Sequence, residues 1–224
     1  MRSFRMLAVV TAAAGAHALA PPAATATPVP SAPTAPSADA RQSAGSTGAT
    51  PSKPVIATYK GEKIDLGKGW NGARVCTEVT GGAVYCHDSV AEADAALAVI
   101  DPALAEAART AKAAPAAASG VVLTPQATSD CGYGWACLWE HSTFSGTLLR
   151  WSQPGTKYLS DWSFRDMASS ACVYRSVGDM QIYDDRTLQP DPSLNLSNGY
   201  CYDFTGLGYP YGGNWNDKVD YINL

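Results

Sequence analysis

The chain has 224 residues, with 20 acidic and 16 basic side chains and a formal net charge of −4 at neutral pH. This length leaves room for one or two small domains. A protein that binds phosphate backbones needs clustered lysine and arginine, and the absence of any basic run in this sequence excludes nucleic acid as a partner.

Residues 1–26 predict a secretory signal peptide. Two arginines precede an apolar run at residues 6–14, and small residues follow at the candidate cleavage sites. We expect cleavage after Ala26, because cleavage after Ala20 would place Pro21 beside the scissile bond. The apolar run is too short and too rich in alanine for a transmembrane helix, so we predict a secreted, extracellular protein without a membrane span.

Two segments have the composition of disordered linkers. Residues 27–54 consist almost wholly of alanine, proline, serine, threonine and glycine, and residues 115–130 return to a similar composition. Such segments cannot bury enough apolar surface to offset the entropy lost on ordering. They predict extended tethers on either side of a small module at residues 55–114.

The module begins with strand-like stretches and a β-hairpin. Cys76 and Cys86 lie on the two arms around Gly81 and Gly82, and residues near the base of such a hairpin can meet within disulfide range. His87 follows Cys86, but adjacent strand residues point to opposite faces, so the two cannot act as a base and a nucleophile. We assign this module no activity.

Helices follow the hairpin. Ser89 and Glu92 form a capping-box pattern, and Asp101 followed by Pro102 marks a second helix start. The helical pattern is rich in alanine and ends near Ala114. The module is therefore predicted to be a small disulfide-bonded α+β unit.

The densest aromatic and turn signals lie in the segment from Cys131 to Tyr174. Trp139 precedes Phe144 by five residues, and Gly146 follows where a tight reversal favours a residue without Cβ. Ser169 and Ser170 then lead into a strand, where their hydroxyls can bond back to the hairpin backbone. This combination predicts one Greek key.

The spacing of Trp139, Phe144 and Gly146, followed by a polar loop and two serines, resembles a βγ-crystallin Greek key motif. The cysteine pair Cys131 and Cys137 before the first strand resembles the secreted bacterial branch of this family, the Streptomyces metalloproteinase inhibitor (SMPI) type. The resemblance covers residues 131–224, and its second motif is degenerate, with Asp220 and Tyr221 where the family has hydroxyl residues.

The resemblance implies an all-β, βγ-crystallin-like double Greek key sandwich at residues 131–224. It also implies a monomeric, secreted, non-enzymatic inhibitor of an extracellular protease, most often a metalloprotease, which lodges a rigid loop in the catalytic cleft. No reactive bond carries over, because the family closes its loop with a short-range disulfide that this sequence lacks. Two regions remain candidates for the loop, Asp184 to Tyr200 and Gly206 to Gly213.

We predict that all six cysteines are oxidised, although six cysteines permit about 15 connectivities. Two pairs are local in sequence, and the third is what remains and joins the two halves of the carboxy-terminal segment. The predicted disulfides are Cys76–Cys86, Cys131–Cys137 and Cys172–Cys201.

Calcium is an open alternative in the resemblance, because the family's loop motifs supply oxygen ligands to this hard cation. The matching residues are Asp166, Ser169, Asn216, Asp217 and Asp220. Arg165 stands at the leading position of the first motif, where a guanidinium repels a cation and supplies no acceptor. As an inhibitor, the chain is expected to require no cofactor. The alternative function is a calcium-binding module, or a cell-envelope module that binds glycans and contacts the cell wall.

Catalytic chemistry finds little support in the sequence. His141 is the one histidine of the carboxy-terminal segment, which leaves a hydrolytic zinc site without enough ligands. Asp184, Asp185 and Asp191 are interpreted as a solvated loop between prolines rather than as paired catalytic acids.

We expect most tryptophans to be interior, and we expect the glycine- and tyrosine-rich segment from Gly206 to Trp215 to be a loop that can present aromatic contacts.

Overall fold

The structure is a computed structural model that describes residues 53–110 and 130–224. The predicted signal peptide and most of both predicted linkers lie outside the described residues. The described residues form one compact unit. None of the helices in the described ranges is long and apolar enough to cross a membrane.

The structure is mostly β-sheet, as the sequence predicts. The amino-terminal segment holds four strands and two helices, and the carboxy-terminal segment holds eight strands. The elements are β1 Ile56–Tyr59, β2 Glu62–Asp65, β3 Val75–Glu78, β4 Val84–His87, α1 Val90–Ile100, α2 Pro102–Thr110, β5 Ala136–His141, β6 Ser145–Trp151, β7 Thr156–Tyr158, β8 Ser170–Val173, β9 Met180–Tyr183, β10 Ser193–Leu196, β11 Tyr200–Asp203 and β12 Tyr221–Asn223.

Two sheets pack face to face. The first has eight strands in the order β11-β8-β5-β6-β3-β4-β1-β2, and the second has four in the order β10-β9-β12-β7. Each half of the carboxy-terminal segment places its third strand in the other half's sheet, because β7 pairs with β12 and β11 pairs with β8. The apolar core between the sheets includes buried residues of both segments.

The Gly81–Gly82 hairpin forms for the reason that the sequence suggests, whereas the reversal of the second hairpin lies at residues 142–144, with Phe144 itself at φ 54°, and Gly146 follows within β6. Gly81 and Gly82 both have positive φ, 86° and 84°, at the turn that joins β3 to β4. Gly146 has φ 83°, and a Cβ atom there would lie 2.9 Å from the His141 side chain. The rings of Trp139 and Phe144 meet edge to face at 5.6 Å, so the aromatic pair packs over the β5–β6 turn.

The predicted helix caps and serine closure are confirmed. The Ser89 hydroxyl accepts a hydrogen bond from the Glu92 N–H at the start of α1. The Asp101 carboxylate accepts one from the Leu104 N–H at the start of α2. The Ser170 hydroxyl donates to the His141 carbonyl at 2.7 Å and ties β8 to the hairpin.

Three disulfides join the cysteines in the pairs that the sequence predicts. Cys76 and Cys86 lie opposite each other on β3 and β4, and Cys172 and Cys201 lie opposite each other on β8 and β11. Free cysteines are absent from the described ranges. The third disulfide therefore links the two halves of the carboxy-terminal segment directly through adjacent strands.

The amino-terminal segment is part of the same sheet, a relation that the sequence does not reveal. Strand β3 pairs in parallel with β6, in register from Val75 opposite Leu148. Helices α1 and α2 cover a second apolar cluster on the outer face of the first sheet, which includes Trp135, Trp139 and Phe144. The aromatic face of the carboxy-terminal segment is therefore buried by residues that precede it.

One buried cation, Arg150, and one partly buried cation, Lys157, also join the segments. The guanidinium of Arg150, with 2% exposure, donates to the Thr77 hydroxyl and pairs with Asp94 at 2.6 Å. The ammonium of Lys157 bonds to both carboxylate oxygens of Glu78, at 2.8 and 2.7 Å. Buried charges of this kind are stable only while their partners remain, so the segments depend on each other for charge pairing.

Candidate functional site

The loop between β9 and β10, residues 184–192, presents an isolated apolar side chain to solvent. Leu188 stands in the middle of the loop with 94% of its surface exposed. The residues on each side of it, from Asp185 to Asp191, are also exposed. The loop thus projects from the second sheet with a leucine at its centre.

Hydrogen bonds inside the loop hold its two arms together. The Arg186 N–H donates to the Asp191 carboxylate at 2.7 Å, and the Arg186 guanidinium reaches the Gln189 side-chain oxygen at 3.4 Å. At the base, the Asp184 N–H donates to the Pro192 carbonyl at 3.2 Å. Pro190 and Pro192 fix two further φ angles, which lowers the number of conformations open to the second arm of the loop.

The segment from Gly206 to Trp215 supports the loop from one side. The Tyr209 hydroxyl donates to the Asp184 carboxylate, and the Tyr211 hydroxyl donates to the Pro190 carbonyl at 2.7 Å. The Arg186 guanidinium lies 5.7 Å from the centre of the Tyr211 ring. Burial, together with the bond to Asp184, raises the pKa of Tyr209 to about 12, so this hydroxyl stays a donor at neutral pH.

Asp220 anchors the start of the loop from the other side. Its carboxylate accepts a hydrogen bond from the Asp185 N–H at 2.6 Å and pairs with the Arg165 guanidinium. Burial raises the pKa of Asp220 to about 6, against the lowering effects of the Asp185 N–H and Arg165. At neutral pH the carboxylate is therefore mostly ionised, and an ionised acceptor binds the Asp185 N–H more strongly.

Two expectations about these segments are wrong in part. Asp184 was expected in a solvated loop, but it is 5% exposed because it lies under the loop against Tyr209. In the Gly206–Trp215 segment, Tyr209 and Trp215 are buried at 7% and 1%, and Tyr211, at 43%, is the tyrosine exposed to solvent. The two candidate regions for a reactive loop are thus neighbours, and the second one supports the first.

The expected interior position of the large aromatic residues is confirmed. All five tryptophans of the carboxy-terminal segment are at most 3% exposed. Their rings fill the two apolar clusters on either face of the first sheet. These residues are Trp135, Trp139, Trp151, Trp162 and Trp215.

Four of the five candidate calcium ligands lie together. The Ser169 hydroxyl donates to Asp217 at 2.9 Å, and the Asn216 amide donates to the other oxygen of the same carboxylate at 2.6 Å. They line an open depression of about 490 Å³, whose wall also includes Asp166 and Glu140. This depression offers the oxygen donors that a hard cation prefers.

The remaining candidate is engaged elsewhere. The Asp220 carboxylate pairs with Arg165, which also lies 3.5 Å from Asp166. The Arg165 guanidinium therefore neutralises the Asp220 carboxylate, which a cation at the second motif would need as a ligand. Within the described ranges, no group of three or more His, Cys, Asp or Glu side chains is arranged to hold a metal ion.

Comparison with protein families bears on the carboxy-terminal segment. Residues 124–190 match the family model of peptidase inhibitor family I36. The match supports a peptidase inhibitor. It runs from before β5 into the exposed loop and includes Leu188.

Searches of curated proteins and of solved structures found no match. The family model is thus the comparison that gives information on function. A family of inhibitors implies a non-enzymatic role and a protease as partner. The three disulfides are consistent with secretion, because disulfides persist in oxidising compartments.

Proposed function

We propose that the chain is a secreted inhibitor of an extracellular metallopeptidase and that residues 184–192 enter the catalytic cleft of the target. The family match at residues 124–190 supports inhibition of a peptidase. The observation that carries the proposal is Leu188, 94% exposed on a loop that is held from inside and from both sides.

Residues 184–192 are already ordered before binding, and Leu188 among them is exposed. Binding normally costs about 0.5–1.5 kcal/mol for each flexible side chain that is immobilised, and more for a flexible loop. A loop already held by its own hydrogen bonds and prolines loses little entropy in the cleft. An exposed leucine gains free energy when an apolar pocket removes it from water. The proposed target therefore has an apolar primary pocket.

The strand order supports the double Greek key that we propose for residues 131–224. In each half the fourth strand lies beside the first, as β8 beside β5 and β12 beside β9. The third strand of each half, β7 or β11, crosses into the other sheet. A Greek key has its fourth strand beside its first, and the exchange ties the two keys into one sandwich.

Replacing Leu188 by aspartate is expected to weaken inhibition of a thermolysin-like metallopeptidase by about 30- to 900-fold, since a central apolar anchor contributes about 2–4 kcal/mol to an interface. The measurement is the inhibition constant from residual hydrolysis of a peptide substrate. Val177→Asp is the matched control, because Val177 is 77% exposed just before β9, whereas Leu188 follows β9. Equal inhibition by the two variants would remove residues 184–192 from the contact.

The depression at Asp217 supports calcium binding as a second proposed property. We expect about millimolar calcium to raise the melting temperature by about 2–4 °C relative to chelator, which is the stabilisation expected of a weak extracellular site. Asp217→Ala should abolish this difference, whereas Asp161→Ala, at a carboxylate outside the depression, should keep it. The absence of a calcium-dependent shift in the unsubstituted chain would exclude the site.

A further inference from the structure

A nine-residue loop is small for the contact that the proposed function requires. Protease–inhibitor interfaces bury about 800 Å² on each partner and involve about 20–30 residues a side. Surface beside residues 184–192 must therefore take part. The candidates are the segment that supports the loop and the outer face of the second sheet.

The outer face of the second sheet carries a row of three tyrosines. Tyr221 of β12 lies in register between Tyr158 of β7 and Tyr183 of β9. Their ring centres are 5.5 Å and 4.5 Å apart, and Tyr158 is 53% exposed at the edge of the sheet. The alternate residues Ile182 and Ile222 point into the core and are fully buried. The three rings therefore form one continuous strip on the solvent side, here called the tyrosine row.

A second row of neutral polar residues runs beside the tyrosines on the same face. It comprises Thr156, Asn223, Gln181 and Asn195, which lie in register across the four strands. Together the two rows offer aromatic edges, hydroxyls and amides, and the Asn195 amide donates to the Asp179 carboxylate at 2.7 Å. Tyrosines and neutral polar groups are typical of the surfaces that proteins use to bind each other.

The tyrosine row is continuous with the proposed reactive loop. Tyr183 directly precedes Asp184, and Tyr221 directly follows Asp220, whose carboxylate holds the Asp185 N–H. Burial raises the pKa of Tyr221, and the nearby loop carboxylates of Asp191 and Asp185 raise it further. The loop and the row thus belong to one surface.

We propose that Tyr158, Tyr183 and Tyr221 form the second part of the peptidase-binding surface, beside the loop that enters the cleft. This inference rests on the proposed function. The partner that fits is a peptidase whose rim beside an apolar pocket carries polar groups that accept hydrogen bonds. A rim of this kind packs against tyrosine edges and accepts hydrogen bonds from their hydroxyls.

A polysaccharide fits the row less well. Sugars stack on the faces of aromatic rings, but the rings of Tyr183 and Tyr221 lie almost parallel, at 7°, and cover each other's faces. Tyr221 lies between Tyr183 and Tyr158, so both of its ring faces have an aromatic neighbour. A protein surface with complementary shape uses the ring edges and hydroxyls better than a flat sugar chain does.

The test compares Tyr158→Ala with Tyr133→Ala in the full chain. Both tyrosines are substantially exposed, at 53% and 40%, but Tyr133 precedes β5 and lies away from the second sheet. We expect Tyr158→Ala to raise the inhibition constant for the metallopeptidase by about 10-fold or more, through faster dissociation, and Tyr133→Ala to change it less than about 2-fold. Circular dichroism checks that both variants keep the fold.

Two results would overturn the inference and leave the proposed function intact. One is equal inhibition constants for the two variants. The other is retention of the unsubstituted chain on insoluble cell-wall polysaccharide that Tyr158→Ala abolishes while inhibition is unchanged, which would assign the row to glycan binding. If the unsubstituted chain inhibits neither a metallopeptidase nor a serine peptidase, the proposed function fails and this inference fails with it.

Discussion

Residues 130–224, produced without the amino-terminal segment, are expected to lose their cooperative fold. The helices α1 and α2 cover the outer face of the first sheet, where Trp135, Trp139, Phe144 and Leu148 are each at most 1% exposed. Burial of large apolar side chains stabilises a protein by about 1.5–3 kcal/mol each. Four of them account for about 6–12 kcal/mol, which is comparable to the whole stability of a typical domain, about 5–15 kcal/mol.

Charge pairing adds to this effect. Removing residues 53–110 would take away the partners of Arg150 and Lys157, and an uncompensated buried charge costs about 3–5 kcal/mol. It would also leave β6 as an exposed sheet edge, which invites aggregation. The measurement is unfolding in urea, monitored by near-ultraviolet circular dichroism.

A chain that lacks residues 1–52 is the matched control and should unfold cooperatively, because it keeps every contact described between the segments. A cooperative transition of residues 130–224 at the same urea concentration as this control would contradict the account. It would mean that the carboxy-terminal segment is an independent domain.

Replacing Cys172 and Cys201 together by alanine should lower the free energy of unfolding by about 3–4 kcal/mol. The disulfide closes a loop with a sequence separation of 29 residues, and on a chain-entropy model longer loops gain more from closure. The bond also joins β8 to β11 and so ties the strand exchanged from the second half to the sheet of the first. Denaturant unfolding of the purified double variant measures the loss.

The Cys131–Cys137 pair provides the comparison. Its sequence separation is 6 residues, so the same model gives a loss of about 2 kcal/mol for the corresponding double alanine variant. Both disulfides are buried, so the difference between the variants reports mainly the loop length. Equal losses, or a larger loss at the short pair, would contradict the loop-length argument.

Local patterns predicted the parts of the fold that local interactions determine. The Gly81–Gly82 turn, the caps at Ser89 and Asp101 and the aromatic hairpin at Phe144 each depend on residues a few positions apart. Short-range chemistry fixes such features whatever the rest of the chain does. The cysteine pairs were predicted because two of them are close in sequence, which leaves Cys172 and Cys201 as the third pair.

The features that the sequence did not reveal are those that bring distant residues together. The parallel pairing of β3 with β6 has no local signal, although Arg150 between Leu149 and Trp151 indicates a buried partner elsewhere. The tyrosine row joins residues from three strands that are well separated along the chain. The burial of Asp184 depends on Tyr209, which lies 25 residues away. Tertiary contacts override composition at these positions.

The calcium ligands illustrate the same division. The motif spacing pointed to Ser169, Asn216 and Asp217 as ligands of one site. These residues do lie together, because their two loops are side by side in the sandwich. The pairing of Asp220 with Arg165 was not predicted, although the expected repulsion between Arg165 and a cation agrees with it. Which carboxylate an arginine neutralises is decided by packing, which motif spacing does not describe.

The most direct test of the account is a titration of the full chain against a thermolysin-like metallopeptidase, with a subtilisin-like serine peptidase measured in parallel. The account predicts stoichiometric loss of metallopeptidase activity at sub-micromolar inhibitor and a complex that survives gel filtration. Full activity of both peptidases at a micromolar excess of the chain would contradict it.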